Sequence, residues 1–148
     1  MKTKALYLLG IMFLAPLLAF GYYALSPLFW NVTLQEAVPA QMQDSTEPVP
    51  VMGTFGHSAS GTARIVVAEG KKYVRYENFK TTNGPDLYVY LAKDTDAAEH
   101  ISLGRVRATE GNINYEIPDG VDVSQYHYVL TWCEAFGVLF NHANLSGA

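Results

Sequence analysis

Cys133 is the only cysteine among 148 residues, and it lies in the apolar stretch Tyr128-Val129-Leu130-Thr131-Trp132-Cys133-Glu134-Ala135-Phe136-Gly137-Val138-Leu139-Phe140. One thiol cannot close a disulfide on its own chain, so the sulfur is a buried small hydrophobe, an intermolecular link, a ligand or a redox group. Redox use requires the thiolate, and a thiolate at moderate pH requires a nearby cation or hydrogen-bond donors. Glu134, next in the chain, works against that if it is close in space, whereas Arg64, Arg75 or His57 would favour it. With no second cysteine to resolve an oxidised sulfur, a mixed disulfide or a prosthetic group has to complete a redox cycle. The competing reading is a packed thiol, which apolar surroundings keep protonated and inert.

Cys133, His57, His142 and Met52 supply the residue types of a blue-copper site. Their spacing departs from the usual arrangement, in which cysteine, histidine and methionine cluster on one late loop, so copper ranks below the other readings. Asn83-Gly84-Pro85-Asp86 is a strong turn signal whose Asn and Asp can satisfy backbone donors, and as a calcium loop it offers Asp86 as its sole carboxylate. His100, in an acidic turn, reads as a surface or hydrogen-bonded residue. Hydrolase and phosphate-binding signatures (Gly-x-Ser-x-Gly, His-Glu-x-x-His, a phosphate-cradling glycine loop) do not occur, which argues against a conventional hydrolase or transferase.

The elements that must position these residues begin with a hydrophobic segment. Lys2 and Lys4 precede a run, Ala5 to Trp30, that is almost wholly apolar and carries no charge. It exceeds the roughly 20 residues needed to cross a bilayer core and the roughly 7 to 15 of a signal-peptide core. The expectation is an uncleaved transmembrane anchor, with the N-terminus held in the cytoplasm by the two lysines and the remainder extracytoplasmic in the cell membrane. Pro16 is expected to kink this helix and Pro27 to end it; Tyr22, Tyr23, Phe29 and Trp30 suit the outer interface. Cleavage near Ala19-Phe20-Gly21 is the rival reading.

Residues 31 to 50 are rich in Gln, Pro, Thr, Ser and acids without apolar period, which predicts a flexible linker. Asn31-Val32-Thr33 and Asn144-Leu145-Ser146 fit the glycosylation pattern. Residues 51 to 148 have the size of one domain. That part holds 8 Lys and Arg against 11 Asp and Glu, and such an acidic balance disfavours a nucleic-acid partner.

Within the domain the pattern is of short strands and turns. Ser60 to Ala68 and Lys72 to Phe79 flank Glu69-Gly70-Lys71 as a hairpin. Leu87 to Leu91, Ile101 to Arg107, Ile113 to Ile117, Tyr126 to Glu134 and Val138 to His142 follow, with room for a short helical turn near Asp122 to Tyr126. The expected fold class is all-β, an antiparallel β-sandwich or barrel of about seven or eight short strands, preceded by an N-terminal transmembrane helix. Alternation along Tyr126 to Glu134 puts Cys133 on one face with Val129 and Thr131, and Trp132 on the other with Leu130 and Tyr128.

Six segments in order, Gly53-Thr54-Phe55-Gly56-His57, Ser60-Gly61-Thr62-Ala63, Glu77 through Leu91 around Asn83-Gly84-Pro85-Asp86, Leu103-Gly104, Asn114-Tyr115-Glu116-Ile117-Pro118, and Trp132-Cys133-Glu134-Ala135-Phe136-Gly137-Val138-Leu139-Phe140, resemble the DM13 domain over nearly all of Val51 to Leu145. The resemblance implies an extracytoplasmic β module of an electron-transfer system, of the kind found beside DOMON-type cytochrome domains. It implies further that Cys133 is a bare redox thiol or binds a prosthetic group such as haem; from the residues themselves, His57 and Trp132 are added as candidate neighbours of such a group. Haem needs an axial thiolate or imidazole and a cavity for the macrocycle. Covalent attachment is excluded by the lack of Cys-x-x-Cys-His; a non-covalent haem would take Cys133 with His57, His127, His142 or Met52. The redox partner is left open. The alternative function is a non-catalytic cell-surface interaction or adhesion module in which Cys133 is structural.

Overall fold

The structure, a computed structural model, describes residues 2–147, with the side chains of Lys2 and Lys4 outside what it describes. The chain begins with a helix, α1 (Lys2–Leu25), that runs through Pro16 and carries no charge in its last turn. A 3₁₀ turn, Ser26–Phe29, follows with Pro27 at its start, where the missing N–H costs no helical hydrogen bond. The apolar segment Gly10–Phe29 is long and apolar enough to cross a membrane, and none of it is buried against the rest of the protein.

The remainder is all-β. Among the described residues it comprises ten strands: β1 (Thr33–Gln35), β2 (Met42–Ser45), β3 (Val49–Gly53), β4 (Ala59–Ala68), β5 (Lys71–Thr81), β6 (Leu87–Ala92), β7 (His100–Arg105), β8 (Glu110–Ile117), β9 (Tyr128–Cys133) and β10 (Val138–Asn144). They form one curled sheet in the order β1-β8-β5-β4-β3-β10-β9-β6-β7, with β2 on β4. Strand β3 is the fold line, pairing with β4 through Val49 and Pro50 and with β10 through Val51, Met52 and Gly53. The two halves close over a shared core, in which Ala63, Val74, Tyr76 and Ile113 of one half meet Val89, Leu91, Val129 and Ala143 of the other. The all-β expectation holds, as a curled half-barrel with more strands than the seven or eight anticipated.

The strands from β4 onward follow the alternation of apolar and polar residues. The β4–β5 hairpin turns at Glu69 and Gly70, both with positive φ, the geometry a two-residue hairpin loop requires. Along β6, Leu87, Val89 and Leu91 face the main core side, while Tyr90 and Ala92 pack with Leu130 in a second cluster on the outer face. The helical turn near Asp122 is a 3₁₀ turn, Val123–Gln125, capped by the Asp122 carboxylate accepting from the Ser124 N–H.

Residues 31–50 differ from the flexible linker their composition predicts, because tertiary partners order them. β1 lies parallel to β8, with Leu34 opposite Gly111. Gly111 has φ +119°, and a Cβ there would stand 1.9 Å from the Leu34 carbonyl oxygen, so only glycine lets β1 approach. Beyond β1, the buried Arg75 donates to the carbonyls of Glu36 and Ala37, and Glu36 is held by both guanidinium nitrogens of Arg107 and by the Asn114 N–H. Burial pushes the Glu36 carboxyl up, but Arg107, the Asn114 N–H and Arg75 more than offset this and leave it below its usual value. β2 then pairs with β4 at Ala68, Val67 and Val66.

Candidate functional site

Cys133 is the last residue of β9, where Leu87 of β6 and Val138 of β10 are its register partners. Its side chain points inward and is fully buried. There it forms a small cluster with Leu87 and Phe140, flanked by Val106, apart from the main core. Immediately after it the chain turns through Glu134–Gly137, all exposed, and the Gly137 N–H closes the turn on the Cys133 carbonyl at 2.9 Å. This turn is short because Gly137 adopts φ +63°, a left-handed conformation that glycine takes without steric cost.

Three segments distant in sequence meet at this end of the sheet. The Cys133 thiol donates to the carbonyl of Pro85 at 2.9 Å, and the Glu134 N–H donates to the Asp86 carbonyl at 3.1 Å, so the Asn83–Asp86 turn is stitched to the end of β9. Gly84 in that turn lies against the Phe140 ring; a Cβ there would stand 2.6 Å from Cζ. On Phe140 stacks the imidazole of His57, with ring centroids 3.7 Å apart and planes 17° from parallel. His57 is delivered by the Thr54–His57 turn, which is docked when the Thr54 N–H and hydroxyl donate to Phe140 and Leu139 carbonyls. Pro85, Gly84 and Phe140 thus belong to the site although their residue types carry no redox or ligand chemistry. Their signal in the sequence was the turn Asn83-Gly84-Pro85-Asp86 and the apolar Phe140, both of which read as structure.

Electrostatically the sulfur sits between opposing influences. Burial pushes the Cys133 thiol pKa up, the Phe136 and Ala135 N–H groups directed at the sulfur pull it down, and the Asp86 carboxylate adds to the rise; the net direction is up. The cations expected to offset Glu134 are elsewhere. Arg64 and Arg75 share the Glu77 carboxylate on the other half of the sheet. Arg105 pairs with Asp86, and Glu134 accepts from the Tyr90 hydroxyl. His57 reaches the site only through Phe140, and burial lowers its pKa, so near neutrality its ring is uncharged.

Of the other candidates, Trp132 occupies the face opposite Cys133, packed with Tyr88, Tyr128 and Leu139 around the outer cluster. Met52 and His142 are register partners on β3 and β10, His142 lying edge-on to Tyr128. His127 is exposed in the loop before β9, and His100 stacks on Tyr90 with Nδ1 against the Ala97 carbonyl. Cys133, His57, His142 and Met52 therefore do not converge. Among the described residues no group of three or more His, Cys, Asp or Glu side chains could hold a metal ion. A haem does not fit at Cys133: the sulfur is sealed against Leu87 and Phe140, and the cleft on the far side of Leu87 and Val106 measures ≈ 150 Å³ and is rimmed by polar Asn83, Asp86, Arg105 and Thr109. Asp86 is engaged by Arg105 and leaves no oxygen-rich loop for calcium.

Fold and site describe a small all-β module with one buried thiol at one end of its sheet. The family model described as "Electron transfer DM13" matches residues 52–145, and the chain belongs to that family. Comparison with curated proteins and with solved structures gives no match. The family description supports a redox role in the broad sense, and with it a redox partner.

Proposed function

We propose that the protein is an extracytoplasmic electron-transfer module, anchored in the cell membrane by α1, in which Cys133 acts as a bare thiol. The observation that carries this is the meeting of the Asn83–Asp86 turn with the end of β9, where the thiol donates its hydrogen to the Pro85 carbonyl, with Gly84 and His57 packed on the neighbouring Phe140. The N–H groups of Ala135 and Phe136 pull the thiol pKa down against the effect of burial and would stabilise a thiolate once the proton leaves. The exposed turn Glu134–Gly137 follows Cys133 directly, and on this reading a partner would reach the sulfur by displacing that turn rather than by unfolding the core. The resting thiol is protected from the oxidants of an extracytoplasmic compartment.

The second reading, an interaction module in which Cys133 only packs, draws on the complete burial of the sulfur and the upward push on its pKa. One experiment separates the two. The full chain is purified in detergent, its absorbance is recorded, and its thiol is titrated with a graded redox buffer and with an alkylating reagent, with Cys133→Ser as control. A reversible one-thiol transition lost in the control supports the redox thiol. A thiol that resists both oxidant and alkylation until the domain unfolds leaves packing as its role.

A further inference from the structure

The helix and the domain are joined without slack. Directly after the 3₁₀ turn that ends α1, the Trp30 carbonyl accepts from Asn83 Nδ2 at 2.7 Å. Two residues on, the Val32 N–H donates to Thr109 Oγ1 at 3.1 Å while the Val32 carbonyl accepts from the Thr109 and Glu110 N–H groups, and β1 begins at Thr33. The end of the domain so tied is the Cys133 end, since Asn83 belongs to the turn that holds the thiol.

The turn after Cys133 reaches back along the helix. Phe136 packs edge-on against Phe20, with ring centroids 6.3 Å apart. Phe20 lies at mid-length of the apolar segment Gly10–Phe29 that is long enough to cross a membrane, so this contact sets the turn against the membrane-crossing part of the helix. Val138, two residues on from Phe136, is half-exposed, and Phe55, on the Thr54–His57 turn docked against Leu139 and Phe140, is entirely exposed. Charge is distributed to match. At this end Asp86, Glu110 and Glu134 are each engaged, by Arg105, Lys80 and Tyr90. The exposed acids Glu69, Asp96, Glu99, Asp119 and Asp122 occupy turns at the opposite ends of the strands.

We propose that the Cys133 end of the domain is seated on the bilayer, with Phe136 and Phe55 inserted into the outer interface, so that the turn after Cys133 is in contact with lipid. Aromatic rings suit that zone, where one side is apolar and the other hydrated, and the acidic end is turned away from anionic lipid headgroups. The inference rests on α1 being a retained anchor. It implies that whatever reaches Cys133 approaches along the membrane.

The test uses the full chain in phosphatidylcholine vesicles on a Cys133→Ala background, or Cys133→Ser if the alanine variant does not fold. An environment-sensitive fluorophore is attached at Phe136→Cys, at Asp119→Cys on the far end, and at Leu18→Cys within the helix. The expected result is that the label at 136 is blue-shifted and quenched at least about twofold more by shallow spin-labelled lipid than by aqueous iodide, that the label at 119 shows the reverse, and that the label at 18 is quenched by deep spin-labelled lipid. If the label at 18 is quenched while the label at 136 behaves like that at 119, the anchor stands and the seating is overturned. A label at 136 shielded from both lipid and iodide means that protein covers this end, which also overturns it. Loss of lipid quenching at 18, with the chain washed off vesicles at alkaline pH, removes the anchor and the seating together.

Discussion

Cys133 donates its thiol hydrogen to the Pro85 carbonyl oxygen at 2.9 Å, a contact spanning 48 residues that fixes the Asn83–Asp86 turn to the end of β9. Deleting the sulfur removes that bond and leaves a small void beside Leu87 and Phe140. Cys133→Ala is expected to cost about 1–3 kcal/mol in urea unfolding. The pH dependence has a definite sign. The folded state favours the neutral thiol, so this stabilisation is complete below the ordinary thiol value of 9.0 and is lost as pH rises through the raised folded value. The natural chain should therefore lose more stability than Cys133→Ala between neutral pH and the alkaline limb.

Gly84 and Phe140 fit as a surface and its imprint. A methyl at residue 84 would stand 2.6 Å from Phe140 Cζ and 2.8 Å from Cε1, with Leu87 behind. Gly84→Ala is expected to destabilise by about 1–3 kcal/mol through overpacking, and Phe140→Ala by about 3–5 kcal/mol through the cavity it leaves. The double variant Gly84→Ala/Phe140→Leu should lose less than the sum of its single changes, because the shortened side chain makes room for the methyl. Additive losses in urea titration would show that the two positions do not share this contact.

The features that were legible in the sequence are those written as local pattern. β4 to β10 follow alternation, and the same alternation placed Cys133 on one face with Val129 and Trp132 on the other, of which the structure makes the Cys133 face the inner one. The hairpin at Glu69-Gly70 and the end of α1 before Pro27 are likewise local chemistry. β1 and β2 were not legible, because Thr33-Leu34-Gln35 is three residues long and owes its order to a missing side chain at Gly111 and to guanidinium groups of Arg75 and Arg107. The site is divided in the same way. Its thiol was evident, but that Pro85 accepts its proton and that Phe140 stands between it and His57 depends on a turn and a bulged strand meeting at a distance no periodicity encodes.

His57 is held uncharged against Phe140. Burial lowers its pKa from the ordinary 6.5, so the folded state favours the neutral ring. Stability from this source is present above 6.5 and is lost as pH falls through the lowered folded value. His57→Phe keeps an aromatic ring on Phe140 without a titrating group. The prediction is that urea midpoints measured between pH 7 and pH 5 fall less steeply for His57→Phe than for the natural chain, and that the C2-proton of His57 titrates by NMR below the range of exposed histidines.

Glu36 fastens the segment that joins helix to sheet. Its carboxylate receives Arg107 and the Asn114 N–H, and its pKa lies below the ordinary 4.5. This contribution is present above 4.5 and fades as pH falls through the folded value. Because both partners are partly solvated, Glu36→Gln is expected to cost only about 1 kcal/mol. The more sensitive readout is local: amide exchange of residues 33–45 should quicken several-fold in Glu36→Gln while that of β4 and β5 is unchanged. Uniform quickening across the domain would mean that the segment does not open separately.

Gly137 decides whether the thiol can be reached without unfolding the domain. It holds φ +63° and donates to the Cys133 carbonyl, closing the turn that follows the thiol-bearing residue. A side chain at this φ costs roughly 1–2 kcal/mol, and if the turn opens as a local unit that cost lowers its opening free energy directly. Gly137→Ala should then speed alkylation of Cys133 under native conditions by about 5–30-fold, the same energy expressed as a population. The rate should respond weakly to sub-denaturing urea, since opening one turn exposes little surface. Access through global unfolding has a different signature, a rate that climbs with urea along the slope of the full transition. In that case the sulfur is a packing atom, for a partner cannot exchange electrons with a group exposed only when the module has ceased to exist. A urea-insensitive rate that rises in Gly137→Ala instead identifies Glu134–Gly137 as the cover through which the thiol is used.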